Sequence, residues 1–146
     1  MTRPGDNYAK GAVEVSSQQV ARELYAHGAR FVKEPRFRKY LALDESRLKA
    51  FTYRYHVSTN MVWQAGKSNC VLFSRFCVDD LLKGGVEQNF NLPPMLGEVI
   101  FYPATGGRHE MLFAKTASGR YLFYEPQPPS QKWTEWLLGK DYDFEL

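Results

Sequence analysis

Between Gly97 and Gln127 the chain carries three apolar runs in succession, and their spacing leaves room for little but a β unit. Gly97-Glu-Val-Ile-Phe-Tyr-Pro103 reads as one strand, Arg108 to Thr116 as a second and Arg120 to Gln127 as a third, with Ala117-Ser118-Gly119 as the tight turn of a hairpin. Successive strand side chains point to opposite faces. Here both faces are apolar: Met111 and Phe113 alternate with Leu112 and Ala114, and Tyr121 and Phe123 with Leu122 and Tyr124. A sheet with two apolar faces has to be covered on both sides. With 146 residues, 44% of them apolar, the rest of the chain suffices for one core. The expectation is a flexible tail over residues 1–13 and a single α+β domain over residues 14–146.

The cover is helical in pattern. Ser16 followed by Gln19 resembles a capping box, and Val20, Ala21, Leu24 and Tyr25 recur at helical spacing until Gly28 supplies a stop. The stretch from Ala29 to Tyr40 interleaves basic and aromatic residues around Pro35, a helix breaker, and reads as a loop or a pair of helical turns. Asp44 is a plausible N-cap for a second helix through Leu48, Phe51 and Tyr55, extending toward Met61 and Trp63. A third helix, capped by Ser68 or Asn69, is apolar over most of its circumference (Val71, Leu72, Phe73, Phe76, Val78, Leu81, Leu82) and is expected to end at Gly84-Gly85. Trp133, Trp136, Leu137 and Leu138 suggest a final helical turn or two.

Composition excludes little else. A net charge of +3 is too mild to demand a nucleic-acid partner. Nowhere does the chain offer the roughly 20 apolar residues of a membrane helix, and the first residues hold no long apolar segment, so a soluble, cytoplasmic protein is expected. Cys70 and Cys77 fall in the third helix, with Cα atoms on the order of 10 Å apart, which is beyond disulfide reach; both are expected to be free thiols. No zinc spacing, phosphate-binding glycine loop or dinucleotide fingerprint occurs, so neither metal nor cofactor is expected.

Cys70 lies in the first turn of the third helix, where unsatisfied N–H groups and the macrodipole favour a thiolate. Cys77, two turns further on in apolar company, is expected to be inert core, and His27 and His56 to have surface or helix-end roles. His109 opens the second strand. If the hairpin loop has three residues, Thr116 faces Arg120, which sets His109 opposite Gln127 and diagonal to Glu125 on one face. A two-residue loop would send His109 to the other face. Nucleophile at a helix start, base on a strand and orienting group on the next strand is the order of a thiol–imidazole–acid site.

These residues carry a family resemblance. Asn69-Cys70 followed by a hydrophobic helix, then His109-Glu-Met-Leu-Phe-Ala, then Tyr124-Glu-Pro-Gln127, resembles the papain-like/transglutaminase-like cysteine hydrolase superfamily over roughly residues 60 to 130, most closely its small phage and bacterial members whose third motif is Glu-Pro-Gln. The resemblance implies a papain-like fold with N-terminal helices, a central Cys-bearing helix and a small antiparallel sheet. It also implies hydrolysis or acyl transfer on an amide or thioester of a peptide-like substrate. Cys70 would be the nucleophile, His109 the general base and Glu125 the orienting acid, with Gln127 its substitute or an oxyanion-hole neighbour. One departure is that Val71 and Leu72 follow the Cys where phage-type relatives carry acidic residues.

A second function competes. Residues 30 to 54 hold eight of the nineteen basic residues, among them Arg30, Lys33, Arg36, Arg38 and Lys39, interleaved with Phe31, Phe37, Tyr40 and Tyr53. Charges to neutralise phosphates and rings to stack on bases make a catalytically inactive binding module, engaging nucleic acid or a protein, the alternative expectation.

Overall fold

A computed structural model describes residues 7–57, 70–102, 108–126, 131–135 and 142–146. Its framework follows from the hairpin. Strands β4 (Leu96–Phe101), β5 (His109–Lys115) and β6 (Tyr121–Tyr124) pair antiparallel, with Leu96 opposite Ala114 and Lys115 opposite Tyr121. The Thr116 N–H donates to the Arg120 carbonyl at 2.8 Å, and Gly119 takes φ +92°, so the turn has the three-residue form. Glycine supplies that left-handed position without strain.

Around this unit the sheet is larger than the sequence suggested. Earlier and later in the chain lie β1 (Val13–Ser16), β2 (Phe31–Val32), β3 (Lys39–Ala42), β7 (Trp133–Glu135) and β8 (Tyr142–Glu145). Six strands run in the order β2-β8-β4-β5-β6-β7, with β2 and β8 parallel and every other pair antiparallel, while β1 and β3 form a separate antiparallel pair. The expected small antiparallel sheet is therefore corrected to a six-stranded mixed sheet. The loop or helical turns expected before Tyr40 are in part strands β2 and β3, and Trp133 belongs to a strand rather than a closing helix. Short edge strands paired across long sequence separations leave almost no local signal. Trp136, Leu137 and Leu138 lie outside the described residues, as do Met61, Trp63 and the cap candidates Ser68 and Asn69.

Helix α1 (Ser17–Ala26) starts where expected, with Ser16 Oγ accepting from the Gln19 N–H at 3.1 Å, and Gly28 follows it at φ +99°. Helix α2 (Glu45–Thr52) has Asp44 as its N-cap and runs on as a π-helical turn over Tyr53–Val57. Helix α3 (Cys70–Glu87) runs past Gly84 and Gly85, and Asn89, at φ +58°, turns the chain just beyond its end. Gly84 is needed for contact instead of termination, because a Cβ there would press into the Tyr55 ring.

The sheet is covered on both sides, as its two apolar faces require. Leu96, Leu112, Ala114, Leu122, Tyr124 and Trp133 meet Leu48 and Phe51 of α2 and Cys77, Val78 and Leu81 of α3. On the opposite face Val99, Phe113, Phe123 and Phe144 meet Val20 and Leu24 of α1. Tyr8 is buried against Phe51 at 5.5 Å between ring centroids, so order begins within the segment expected to be a flexible tail. Lys115 crosses from the sheet to α1, donating to Glu23 at 2.5 Å, and the Tyr121 hydroxyl donates to the same carboxylate at 2.6 Å. Burial works to raise the Glu23 carboxyl, but these bonds outweigh it and hold it below the ordinary glutamate value.

Gly97 marks the tightest approach in the sheet: a Cβ there would collide with the Glu145 backbone carbonyl and press on the Phe113 ring. Neither backbone nor a wholly buried ring yields cheaply. Gly97→Ala is expected to lower stability by about 2 kcal/mol or more, read as a drop in the midpoint of thermal or urea unfolding; an unchanged midpoint contradicts this packing of β4 on β8.

Candidate functional site

The three-residue turn decides where His109 points. With Leu112 opposite Tyr124, the register brings Glu125 to the same face as His109. His109 Nε2 and Glu125 Oε2 are 2.9 Å apart, with the imidazole side chain 40% exposed and the carboxylate more sheltered. The bond to Glu125 is the largest influence on the ring and raises its pKa above the ordinary histidine value, against the opposing effect of burial. Because Nε2 faces a carboxylate, the assigned tautomer of the neutral ring is Nε2–H, which leaves the Nδ1 lone pair as the basic atom. The pair is thus a base with a fixed ring plane and an open proton-accepting nitrogen.

The chain just beyond Glu125 is held from the opposite side of the sheet. The Pro126 carbonyl accepts from Gln131 Nε2 at 3.0 Å and lies 3.4 Å from His56 Nε2, and His56 Nδ1 is 3.3 Å from Asp80 on α3. His56 lies at a helix end, in the last turn of the π-helical segment, but is buried at 7% exposure and is not at the surface. Its ring ties the π-helical turn, α3 and the end of β6 together.

Cys70 is the first residue of α3, as expected, but its side chain lies outside the described residues, and so does Gln127. Cys77 is the inert core thiol expected: wholly buried, with its pKa pushed well up by desolvation. Among the described residues no group of three or more His, Cys, Asp or Glu could hold a metal ion. No helix among them is long and apolar enough to cross a membrane.

The basic-aromatic segment is spent on neighbours. Arg30 pairs with Asp143 at 3.8 Å, Lys33 with Glu145 at 3.2 Å, Arg36 with Glu145 at 3.7 Å and Lys39 with Glu14 at 2.9 Å. Cations already matched by carboxylates release few counterions on meeting phosphate. Tyr40 is buried, which leaves Phe31, Phe37 and Tyr53 of the four aromatics exposed.

A cleft of about 460 Å³ opens on the α2 side of the sheet, lined by Lys49, Thr52, Tyr53, Tyr124, Gln131, Lys132 and Trp133. Its floor is fixed by the Trp133 indole N–H donating to Thr52 Oγ1 at 2.8 Å, and the Tyr53 ring stands 63% exposed beside it. Sequence reasoning missed this cleft. The alternation in Trp133-Thr-Glu135 was the available signal for a strand there.

With this geometry in place, the solved structures most usefully compared are two. One, described as a PSL1a-E64 complex, superposes with a TM-score of 0.68 at 16% identity, covering 91% of this chain and 50% of that one. The other is Polyporus squamosus lectin bound to the human-type influenza-binding epitope Neu5Aca2-6Galb1-4GlcNAc, with a TM-score of 0.66 at 15% identity, covering 91% of this chain and 49% of that one. This chain shares its fold with part of a lectin. It spans about half the length of the solved chains it matches. No family model and no curated protein matches the sequence.

These findings correct the resemblance drawn from the short Cys, His and Glu-Pro-Gln motifs. The papain-like/transglutaminase-like assignment, the small phage or bacterial hydrolase it implied and the inactive papain-like binding module are all replaced by a fold shared with lectin structures. Motifs of two or three residues can place side chains near one another without fixing what family the chain belongs to.

Replacing Glu125 with Gln removes the charge that raises the imidazole. In NMR titration of the ring protons, Glu125→Gln is expected to lower the His109 pKa. The pairing stabilises the fold fully below the unfolded histidine value, and that contribution fades as pH rises through the folded value. An unshifted titration in the variant contradicts the pairing.

Proposed function

We propose that His109 and Glu125 form a general acid–base site, in which Glu125 holds the ring and Nδ1 takes a proton from, or returns one to, a bound group. The 2.9 Å contact to a half-exposed imidazole is the observation that supports this. Hydrogen bonding at Nε2 fixes the tautomer and stabilises the imidazolium formed when Nδ1 is protonated. The residue after Glu125 is restrained, since the Pro126 carbonyl accepts from Gln131 and lies beside the buried His56. Cys70 and Gln127 are proposed for the same site from their order in the chain alone.

An accessible, basic imidazole accelerates release of p-nitrophenol from p-nitrophenyl acetate, whatever the natural ligand. His109→Ala is expected to reduce the protein-dependent rate by at least about tenfold, and Glu125→Gln to move its pH profile toward lower pH. Cys70→Ala and Gln127→Ala, run alongside, decide whether those residues belong to the site. A His109→Ala protein as fast as the wild type ends the proposal.

A second function, saccharide binding, is favoured by the cleft at Tyr53, Gln131 and Trp133. An exposed ring beside an amide and two lysines suits a ligand with both C–H faces and hydroxyls, and a lectin that shares the fold is bound to a sialylated trisaccharide. Titration of that trisaccharide, followed by tryptophan fluorescence, is expected to saturate, and Tyr53→Ala to weaken it about tenfold. No spectral change at millimolar sugar removes the saccharide proposal and leaves the acid–base one untouched.

A further inference from the structure

Two carboxylates are sealed between the sheet and α3 and take no part in the site above. Glu98 on β4 and Glu110 on β5 are 6% and 2% exposed. Their strand positions are diagonal, since Glu98 lies opposite Leu112 and Glu110 opposite Ile100, and their neighbours Leu96 and Leu112 both face α3. Two carboxylates buried on one face of neighbouring strands repel each other when both are ionised, and the Glu110 carboxyl adds to burial in raising Glu98, so Glu98 holds its proton.

The surroundings do little to replace that proton. From α3, Arg75 favours the ionised form of Glu98, whereas Glu145 on β8 disfavours it. Arg108, which precedes β5, reaches Glu110 Oε2 only at 3.9 Å, and that oxygen has no hydrogen-bond partner. Across a cavity of about 20 Å³ that borders Glu98 stand Arg36 and Tyr40, and Arg36 is drawn to Glu145, as is Lys33. Burial first, then the bond to and charge of Glu110, push Glu98 up to about 8.

We infer that the Glu98–Glu110 pair is a proton-operated latch beneath α3: the pair keeps its proton while the helix covers it, and opening of the helix releases it. In the closed state Glu98 keeps its proton until about pH 8, whereas in the opened, hydrated state it ionises near the ordinary value of 4.5. Between those limits opening and proton release are linked. The opening equilibrium of α3 therefore rises with pH, by close to tenfold per pH unit for one linked proton, and levels off above about pH 8. The consequence extends beyond stability. Glu110 is the residue after His109, and α3 begins at Cys70, so the latch sits where a loosened helix disturbs the strand that carries the imidazole.

Amide hydrogen exchange of α3 in the full chain, corrected for intrinsic base catalysis and measured between pH 5 and 9, reads this directly. The wild type is expected to show the rising opening equilibrium and the plateau, and Glu98→Gln, which keeps the shape and the hydrogen bond but cannot ionise, to show a flat profile with greater protection at pH 8. If Glu98→Gln does not fold, Glu110→Gln serves: burial still holds Glu98 up, but loss of the partner's charge lowers it, so the plateau is expected at a lower pH than in the wild type. A wild-type profile already flat from pH 5 to 8, or a folded variant with the unchanged wild-type profile, refutes the latch.

Discussion

The two-residue period of β5 is the constraint on which the molecule depends. One set of its side chains, Glu110, Leu112 and Ala114, faces α2 and α3; the other, His109, Met111, Phe113 and Lys115, faces the α1 side. Slipping the strand by one residue would exchange the sets. Leu112 would leave the helical core, Lys115 would lose Glu23, and His109 would turn away from Glu125. Register is thus enforced from three directions: by apolar burial on both faces, by the Lys115–Glu23–Tyr121 network, and by the three-residue turn that ends at Gly119.

That dependence explains what could be read without coordinates. The hairpin, its alternation and the relation of His109 to Glu125 are all local consequences of residues 109 to 125, so the sequence contained them, apart from the length of the turn. Helices α1 and α2 were legible through Ser16 and Asp44, because a capping side chain is bonded within three residues of itself. Strands β2 and β8 were not. Each is short, and their parallel pairing joins Phe31 to Asp143, a contact no local pattern encodes. Strand β8 lies inside the sheet, between β2 and β4, so the sheet could not be drawn correctly from its central hairpin alone.

Other misreadings arose where tertiary packing overrides a residue's usual role. Glycines after an apolar helical run usually stop it, yet Gly84 lies within α3 because the Tyr55 ring needs the space. His56, expected at the surface or at a helix end, is at a helix end, but the π-helical turn faces it inward between Asp80 and Pro126. The basic run from Arg30 to Lys39 looked like a phosphate-binding strip until Asp143 and Glu145, more than a hundred residues later, were found beside it. The family resemblance failed for a related reason: residue order along the chain was compatible with more than one architecture.

The charged groups on the two faces of β5 combine in one direction. His109 has a folded pKa above its unfolded value, so the stability it adds is complete at low pH and is lost as pH rises through the folded value. Glu98 is also raised, to about 8, so the folded state holds more protons than the unfolded state from about pH 4.5 upward, and it too loses ground as pH rises. Glu23 works the other way. Its lowered carboxyl contributes above the unfolded glutamate value and fades only as pH falls through its folded one. Histidine and buried glutamate both favour the acid side of neutrality, and the Lys115-bound carboxylate sets the lower limit. These three groups meet around β5: His109 lies on it, Glu98 on β4 beside it, and Glu23 on α1, where Lys115 of β5 and Tyr121 of β6 bind it.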